Sequence, residues 1–403
     1  MDLSSRILST EPPPLTPLME EAARRSERGQ QVHVLAQAMV DYAPPATFLD
    51  ALRRAAGGDF ADLHGYAPDP GRLDLRHALS GYLYRAFGIT ADPAGQILVT
   101  PGANHAAFTA LSVLLDEGGE VLVIGPYYFN HAMSITALGG TFRSLPTRAA
   151  DRFLPRIGDL LDAVSPTTRA LILVHPNNPT GICYPEAYLK KLATRMASDS
   201  RWDGVWVLVD QTYQEIYFTP ERPFSLATVP GLDERVVTIS SFSKSMGLAG
   251  WRLGFMMGPA AFIEQALKIQ DSSVICAAHA AQWALREALI DTDACEAYFA
   301  GKRVLLEERR DALLAPLRDV AGLRLTEPDG ACFAFAQLPG TTDGTRFVWE
   351  LLEAAGVLTV PGAPFGDGYR SSIRLSYGAG TPQELSVAGE RVAAHVTRTL
   401  GRS

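Results

Sequence analysis

Short apolar runs separated by amphipathic stretches dominate the middle of the chain. Six runs have almost no polar alternation, which is typical of strands covered on both faces. They are QILVT (96–100), EVLVIG (120–125), RALILVH (169–175), VWVLVD (205–210), VVTIS (236–240) and LGFMM (253–257). Amphipathic stretches such as HAAFTALSVLLDEG lie between them. This alternation predicts the α/β class: a three-layer α/β/α large domain around a mostly parallel mixed sheet, with helices on both faces.

The two ends of the chain follow a different pattern. Residues 294–316 predict a long charged helix, and LRLTEPDGACFAFAQLP then predicts two hairpin strands about a Pro-Asp-Gly turn. We therefore expect a smaller α+β domain built from the N- and C-terminal segments. The predicted division is an N-terminal arm with part of the small domain (1–47), a large domain (48–292) and a C-terminal small domain (293–403).

Composition removes several classes of function. The chain has 403 residues with 47% hydrophobic and 20% charged positions, so it can bury a large core. A net charge of -8 without a block of Lys or Arg argues against a nucleic-acid partner. The four cysteines form no C-x-x-C pair, so neither a metal site nor a disulfide framework is expected. No signal peptide or membrane-length apolar run is present, and we expect a cytoplasmic protein without a membrane partner.

Polar residues follow several of the predicted strands. Ligands of a parallel sheet gather at the carboxyl ends of its strands. There the sequence places PGANHAAF after 96–100, PNNPTG after 169–175, Asp210 with QTYQEIYF, and SFSK with Lys244. The Gly turn of PGANHAAF can hold a phosphate at a helix start, although alone it is a weak signal.

Lys244 is one of only five lysines, because arginine supplies most of the cations. A lysine in a partly dry pocket can lose its proton and form a Schiff base with an aldehyde, which arginine cannot do. A solvated surface lysine is the alternative, but Ser241, Ser243 and Arg252 nearby offer donors to one anion. Asp210 is either a helix cap, which an isolated Asp favours, or the partner of a pyridinium nitrogen.

Four motifs carry a resemblance to a known family. HPNNPTG, DQTYQEIYF, SSFSKSMGLAGWRLGF and SIRLSYG, in this order, resemble the pyridoxal-phosphate-dependent aminotransferases of fold type I, class I/II. The resemblance extends from LAQAMVDYAPP to SIRLSYG, nearly the whole chain. It implies transfer of an amino group from an amino acid to a 2-oxo acid, with pyridoxal 5'-phosphate as the cofactor.

The resemblance also implies roles for residues at the reactive end of the cofactor. Lys244 would form the Schiff base and shuttle the proton, and Asp210 would hold the pyridine nitrogen protonated. Tyr213 and Asn178 would bond the phenolic oxygen. Tyr128 resembles the aromatic residue that stacks on the ring, with core filling as the alternative.

Further residues would hold the phosphate and the substrate. The phosphate ligands implied by the resemblance are the amides of Gly102, Ala103 and Asn104 together with Ser241, Ser243 and Arg252. Tyr66 resembles the tyrosine that reaches the phosphate of a neighbouring subunit, which implies a homodimer with shared active sites. Arg374 resembles the clamp on the substrate α-carboxylate, beside Asn178.

Three details depend on the same resemblance. We expect a cis peptide bond at Asn178-Pro179 at least, with Gly125-Pro126 the second candidate. Ala38 stands where many relatives have glycine, so it either narrows the substrate pocket or is a tolerated variation. The stretch that supplies a second cation in dicarboxylate-specific relatives offers Lys268 and no arginine, which weakens the case for aspartate as substrate.

Two other functions remain open at this stage. A pyridoxal-phosphate lyase or cyclase that performs elimination, substitution or cyclisation shares the same early steps and the same motifs. A non-catalytic effector-binding domain, like those fused to transcription regulators, is a remote alternative, because no basic helix-turn-helix precedes residue 35.

Overall fold

The computed structural model describes residues 3–59 and 62–401. Within them the chain forms thirteen strands, numbered here in chain order. They are β1 His33–Val34, β2 Ile97–Thr100, β3 Glu120–Ile124, β4 Thr141–Leu145, β5 Thr168–Val174, β6 Trp206–Asp210, β7 Val236–Ser241, β8 Gly254–Met257, β9 Arg324–Thr326, β10 Phe333–Gln337, β11 Val357–Leu358, β12 Val360–Pro361 and β13 Ser372–Ser376.

The same residues form fourteen α-helices. They are α1 Ser5–Leu8, α2 Thr16–Glu27, α3 Ala46–Arg54, α4 Leu73–Phe87, α5 Ala103–Leu114, α6 Phe129–Ala137, α7 Ile157–Asp162, α8 Glu186–Ser198, α9 Phe242–Ser245, α10 Ala260–Val274, α11 His279–Ile290, α12 Thr292–Leu314, α13 Gly344–Ala355 and α14 Pro382–Leu400.

The large sheet contains seven strands in the order β2-β8-β7-β6-β5-β3-β4. All neighbours are parallel except β8, which runs antiparallel to both β2 and β7. The six predicted runs all lie in this sheet, and the predicted mostly parallel mixed α/β sheet is confirmed. The sequence analysis did not predict β4, because Thr141, Arg143 and Ser144 break the apolar pattern of this edge strand.

Helices cover both faces of this sheet. Alternate residues of β2 pack into different cores: Ile97 and Val99 contact the cluster that includes residues of α4 and α11, whereas Leu98 belongs to the cluster with residues of α5 and α10. Side chains of successive strand residues point to opposite faces, so one strand contributes to both cores. The sheet is therefore the middle of three layers.

A smaller sheet and the N-terminal segment form a second unit. The sheet order is β12-β13-β10-β9, with antiparallel pairing throughout. The hairpin predicted around the Pro-Asp-Gly turn is confirmed as β9 and β10. β1 pairs in parallel with β11, which joins the N-terminal arm to the C-terminal segment. The boundaries 1–47, 48–292 and 293–403 stay a prediction.

The described residues also bear on membrane and metal binding. None of their helices is long and apolar enough to cross a bilayer. No group of His, Cys, Asp and Glu among them is arranged to hold a metal ion.

Candidate active site

A cavity of about 130 Å³ lies at the carboxyl edge of the large sheet. Its walls come from segments that are far apart in the sequence and that follow the strand ends. The lining residues are Ala103, Asn104, Tyr128, Val174, Asn178, Asp210, Thr212, Tyr213, Ser241, Ser243, Lys244, Ala249 and Arg252. Ten residues predicted from the sequence therefore meet in one cavity, and Val174, Thr212 and Ala249 join them.

Lys244 lies on the short helix α9, directly after β7. Burial lowers the pKa of its amine, and the charges of Arg374 and Arg252 lower it further against an opposing effect of Cys332. Its backbone carbonyl accepts a hydrogen bond from the Tyr42 hydroxyl, which ties α9 to the N-terminal segment. The side chain thus presents an amine that gives up its proton more easily than an exposed lysine does.

Asp210 lies buried at the end of β6, and its carboxylate has two hydrogen-bonding partners. Its Oδ2 lies 3.3 Å from His131 Nε2, and its Oδ1 accepts a hydrogen bond from the Thr212 backbone N–H at 3.0 Å. Burial alone would raise the pKa of Asp210, but the hydrogen bonds from His131 and Thr212 outweigh it, and the pKa is lowered. The site therefore holds an ionised carboxylate away from water.

The opposite end of the cavity is built for an anion. Gly102 has a φ of 84° and precedes α5, and a Cβ at this position would lie 2.6 Å from Arg252 Nη2. The guanidinium of Arg252 donates to the carbonyls of Ala249 and Pro101, which holds it over the start of α5. Free N–H groups at a helix start and a fixed arginine both favour a bound anion.

Arg374 lies in β13 with only 1% of its surface exposed. Its Nη1 donates to Asn178 Oδ1 at 3.0 Å and its Nη2 to the Ala36 carbonyl at 2.7 Å. The guanidinium lies over the rings of Phe333 and Phe365, at 5.1 and 5.3 Å from their centroids. Its Nε is buried and has no hydrogen-bond partner among the described residues. A buried guanidinium with a spare donor suits a carboxylate ligand.

Four predicted residues are not among the residues that line this cavity: Gly102, Arg374, Tyr66 and Ala38. The side chain of Tyr66 is 79% exposed and is not among the lining residues. Ala38 is half-buried and packs on the core, while the backbone of Ala36 is what contacts Arg374. The roles of Tyr66 and Ala38 stay predictions.

The peptide bond Asn178-Pro179 is cis, as predicted, and the second candidate, Gly125-Pro126, is cis too. His175-Pro176 is cis as well, which the sequence analysis did not predict.

Sequence reasoning missed His131 and Phe365. His131 lies three residues after Tyr128, the residue that caps α6, so the two side chains share one helix face, with ring centroids 5.3 Å apart. That spacing is the one signal that could have linked His131 to the site. Phe365 has no comparable signal, because its contact with Arg374 depends on how the small sheet packs.

Known proteins resemble this chain along its whole length. The family model "Aminotransferase class I and II" matches residues 31–392. The aspartate/prephenate aminotransferase of Thermus thermophilus is 31% identical over 402 residues, which cover 100% of this chain and 99% of that protein. An arginine–pyruvate transaminase of Pseudomonas aeruginosa is 30% identical over 390 residues, covering 95% of this chain and 94% of that protein.

Solved structures agree with the sequence matches. The aspartate aminotransferase from Thermus thermophilus with maleate superposes with a TM-score of 0.90 at 30% identity, covering 98% of this chain and 100% of that chain. The family match and the shared fold agree with a cavity that joins a lysine, a buried carboxylate and an anion cradle. The anion cradle is the site formed by Gly102, the start of α5 and Arg252. The chain belongs to the class I and II aminotransferases, the pyridoxal-phosphate-dependent transferases that move amino groups.

Proposed function

We propose that this chain binds pyridoxal 5'-phosphate through Lys244 and transfers an amino group from an amino acid to a 2-oxo acid. One observation carries the proposal: a single cavity brings together an amine of lowered pKa, an ionised buried carboxylate and an anion cradle. These three groups match the aldehyde, the pyridine nitrogen and the phosphate of that cofactor.

The residues present fit this cofactor. Gly102 has a φ of 84°, which strains any other residue, and the absence of a Cβ leaves the backbone at the start of α5 open beside Arg252. Ser241 and Ser243 line the same cavity, as do Ala103 and Asn104 at the start of α5. The hydroxyl of Thr212 is buried without a hydrogen-bond partner among the described residues and lies at the cavity wall, where a polar ligand would satisfy it.

When bound, the cofactor supplies an electron-withdrawing ring that stabilises the charge left when a substrate Cα–H bond breaks. Asp210 would hold the ring nitrogen through its negative charge, and His131 Nε2 lies 3.3 Å from that carboxylate and orients it. The Lys244 amine, neutral more readily than an exposed lysine, accepts the proton from Cα and returns it. Arg374 binds the substrate α-carboxylate and orients the Cα–H bond.

We propose a homodimer with shared active sites. Tyr66 does not line the cavity of its own chain, and its exposure leaves it free to reach a neighbouring subunit. Co-expression of Lys244→Ala and Tyr66→Ala chains tests this arrangement. A shared site predicts that mixed dimers regain one intact site and exceed the activity of either variant alone, whereas separate sites predict no gain.

We propose a reducing compartment from the state of the cysteines. The four cysteines are free in the described chain, which suits a reducing compartment such as the cytoplasm. The names of the relatives differ in both substrates: one pairs the amino acid aspartate with the 2-oxo acid prephenate, and the other pairs arginine with pyruvate.

A half-reaction separates amino transfer from the lyase alternative. The holoenzyme is incubated with an amino acid and no 2-oxo acid, and the released cofactor is identified by chromatography. Amino transfer predicts that the cofactor accumulates in its amine form, with one 2-oxo acid formed per site. A cofactor that stays in its aldehyde form while the amino acid loses a leaving group would contradict the proposal. Lys244→Ala should abolish either reaction.

A further inference from the structure

A second and larger cavity lies beside the candidate active site. Its volume is about 660 Å³, against about 130 Å³ for the cavity that contains Lys244. The N-terminal arm forms one wall, and α6, β4 and the segment before β13 form the others. The lining residues are Ser9, Glu11, Pro12, Pro14, Tyr127, Phe129, Ala132, Met133, Thr136, Phe142, Ala363, Pro364, Asp367 and Arg370. This volume is in the range of small-molecule sites.

Two connections link this arm cavity to the candidate active site. Tyr128 lines the smaller cavity, and its chain neighbours Tyr127 and Phe129 line the larger one. Phe365 lies between the two: its ring centroid is 5.3 Å from the Arg374 guanidinium and 5.7 Å from the Phe129 ring. Phe365 therefore contacts both the Arg374 guanidinium and one wall residue of the arm cavity.

One side of the arm cavity is apolar and aromatic. Tyr127 and Phe142 pack edge to face, with ring centroids 5.6 Å apart, and Met133 of α6 adds a further apolar side chain to the lining. Such walls suit the methylene stem of a long side chain. Aromatic faces also attract a planar cation.

The charged residues that line the arm cavity comprise two carboxylates and one guanidinium. Asp367 and Arg370 line it as an ion pair at 2.7 Å, so they largely neutralise each other. Glu11 lines it too and forms no ion pair with any residue that the structure describes. One uncompensated carboxylate remains, and it would repel a second carboxylate and attract a cation.

We propose that the arm cavity receives the side chain of a long cationic amino acid of the arginine type, with Glu11 as the residue that selects the positive end. This inference rests on the proposed amino transfer and names its substrate class. The α-carboxylate binds Arg374, the stem passes Phe365, and the guanidinium lies against the aromatic wall beside Glu11. A short side chain stays on the Arg374 side of the Phe365 ring and gains nothing from the cavity.

Arginine and citrulline provide the test, because they have nearly the same shape and differ in the charge of the terminal group. The half-reaction of the holoenzyme with each donor gives kcat/KM. We expect arginine to exceed citrulline by about tenfold, the size of one charge-assisted hydrogen bond at a partly exposed position. The preference should fall to less than about twofold in Glu11→Gln.

Glu20→Gln is the matched control, because Glu20 is an exposed carboxylate of α2 that does not line the cavity. It should keep the wild-type preference. Binding of 5-guanidinopentanoate and 5-ureidopentanoate, which lack the amino group and cannot react, is measured by calorimetry and should show the same preference and the same loss in Glu11→Gln.

Equal use of arginine and citrulline by the wild type would overturn the inference, as would an unchanged preference in Glu11→Gln or an equal loss in Glu20→Gln. Alanine separates this failure from failure of the proposed function. If alanine yields the amine form of the cofactor and arginine does not, the arm cavity is assigned wrongly while amino transfer stands. If no donor yields the amine form, the proposed function fails first.

Discussion

Two buried carboxylates, five residues apart on the segment that leaves β6, behave in opposite ways. Asp210 has a lowered pKa because the hydrogen bonds from His131 and Thr212 outweigh the effect of burial. Glu215 has a raised pKa because burial outweighs its partners, of which Arg222 is the strongest and Tyr82 the next. Burial is nearly complete for both groups, so it does not decide the charge. The geometry of the donors decides it.

The partners of Glu215 are distributed differently from those of Asp210. The Tyr82 hydroxyl donates to Oε1 at 2.5 Å, Arg222 Nη1 lies 3.2 Å from the same oxygen, and Arg303 Nη1 lies 3.7 Å from Oε2. These residues come from α4, a loop and α12, so Glu215 joins the large domain to the helix that leads into the small domain. We infer that Asp210 acts in catalysis, whereas Glu215 stabilises the packing of α4, the Arg222 loop and α12.

Asp210→Asn should produce the largest effect. The variant loses the negative charge that stabilises a protonated ring nitrogen, and kcat/KM should fall at least about a thousandfold, or about 4 kcal/mol. Half-reaction kinetics measure the loss. Glu215→Gln, at the same depth of burial, should stay within about tenfold of the wild type. Equal losses in the two variants would contradict the division between catalysis and packing.

Glu215→Leu should produce the largest loss of stability. Arg222 and Arg303 would face a buried apolar group, and the free energy of unfolding should fall by about 3 kcal/mol. Thermal or urea unfolding measures it. Glu296→Gln is the comparison, because Glu296 is half exposed and binds Arg222 from outside at 3.0 Å, and its loss should cost less than about 1 kcal/mol.

His131→Phe should reduce the contribution of Asp210 to catalysis without removing its carboxylate. The pKa of Asp210 should rise when its side-chain donor is lost, so the acidic limb of the kcat profile should move to higher pH. The rate at neutral pH should fall by about tenfold. His131→Gln keeps a donor and should recover part of the loss. A reduced rate with no movement of the acidic limb would indicate that His131 only fills space.

The pH dependence of stability should have opposite signs for the two carboxylates. The folded pKa of Asp210 lies below its ordinary value of 3.8, so its contribution is complete above pH 3.8 and is lost as the pH falls through the folded pKa. The folded pKa of Glu215 lies above its ordinary value of 4.5, so its contribution is complete below pH 4.5 and is lost as the pH rises through the folded pKa.

Melting temperatures measured between pH 3 and pH 7 check these signs. The difference between wild type and Asp210→Asn should shrink toward low pH, and the difference between wild type and Glu215→Gln should shrink toward high pH. Parallel curves would show that neither carboxylate changes its proton affinity on folding.

The sequence predicted the parts of the molecule that depend on local pattern. The strands with continuous apolar runs and the hairpin of β9 and β10 follow from short segments, whereas the ten predicted residues that line the cavity also depended on the family resemblance. The contacts that depend on distant segments could not be predicted in this way. His131 contacts Asp210, which lies 79 positions further along the chain, and Tyr82 contacts Glu215. In both pairs, the sequence around one residue does not indicate its partner.

The arm cavity shows the same limit. Glu11 and Phe129 line one space only because the N-terminal segment passes over α6, and neither segment alone marks this contact. The predicted role of Tyr66 is even further from local pattern, because it depends on a contact with a second copy of the chain. Local pattern therefore predicts the cofactor site better than the surroundings of the substrate.

The reversed strand β8 has a consequence for how the anion cradle could be rebuilt. Its first residue, Gly254, pairs with Thr100 and Ser241 at the carboxyl ends of β2 and β7. Arg252, which precedes β8, therefore reaches the same edge as residues that follow their own strands. If β8 ran parallel to its neighbours, Arg252 would lie at the far edge, about 13 Å away at 3.3 Å per residue. An engineer who transplants this cradle must therefore copy the direction of one strand as well as the identities of its side chains.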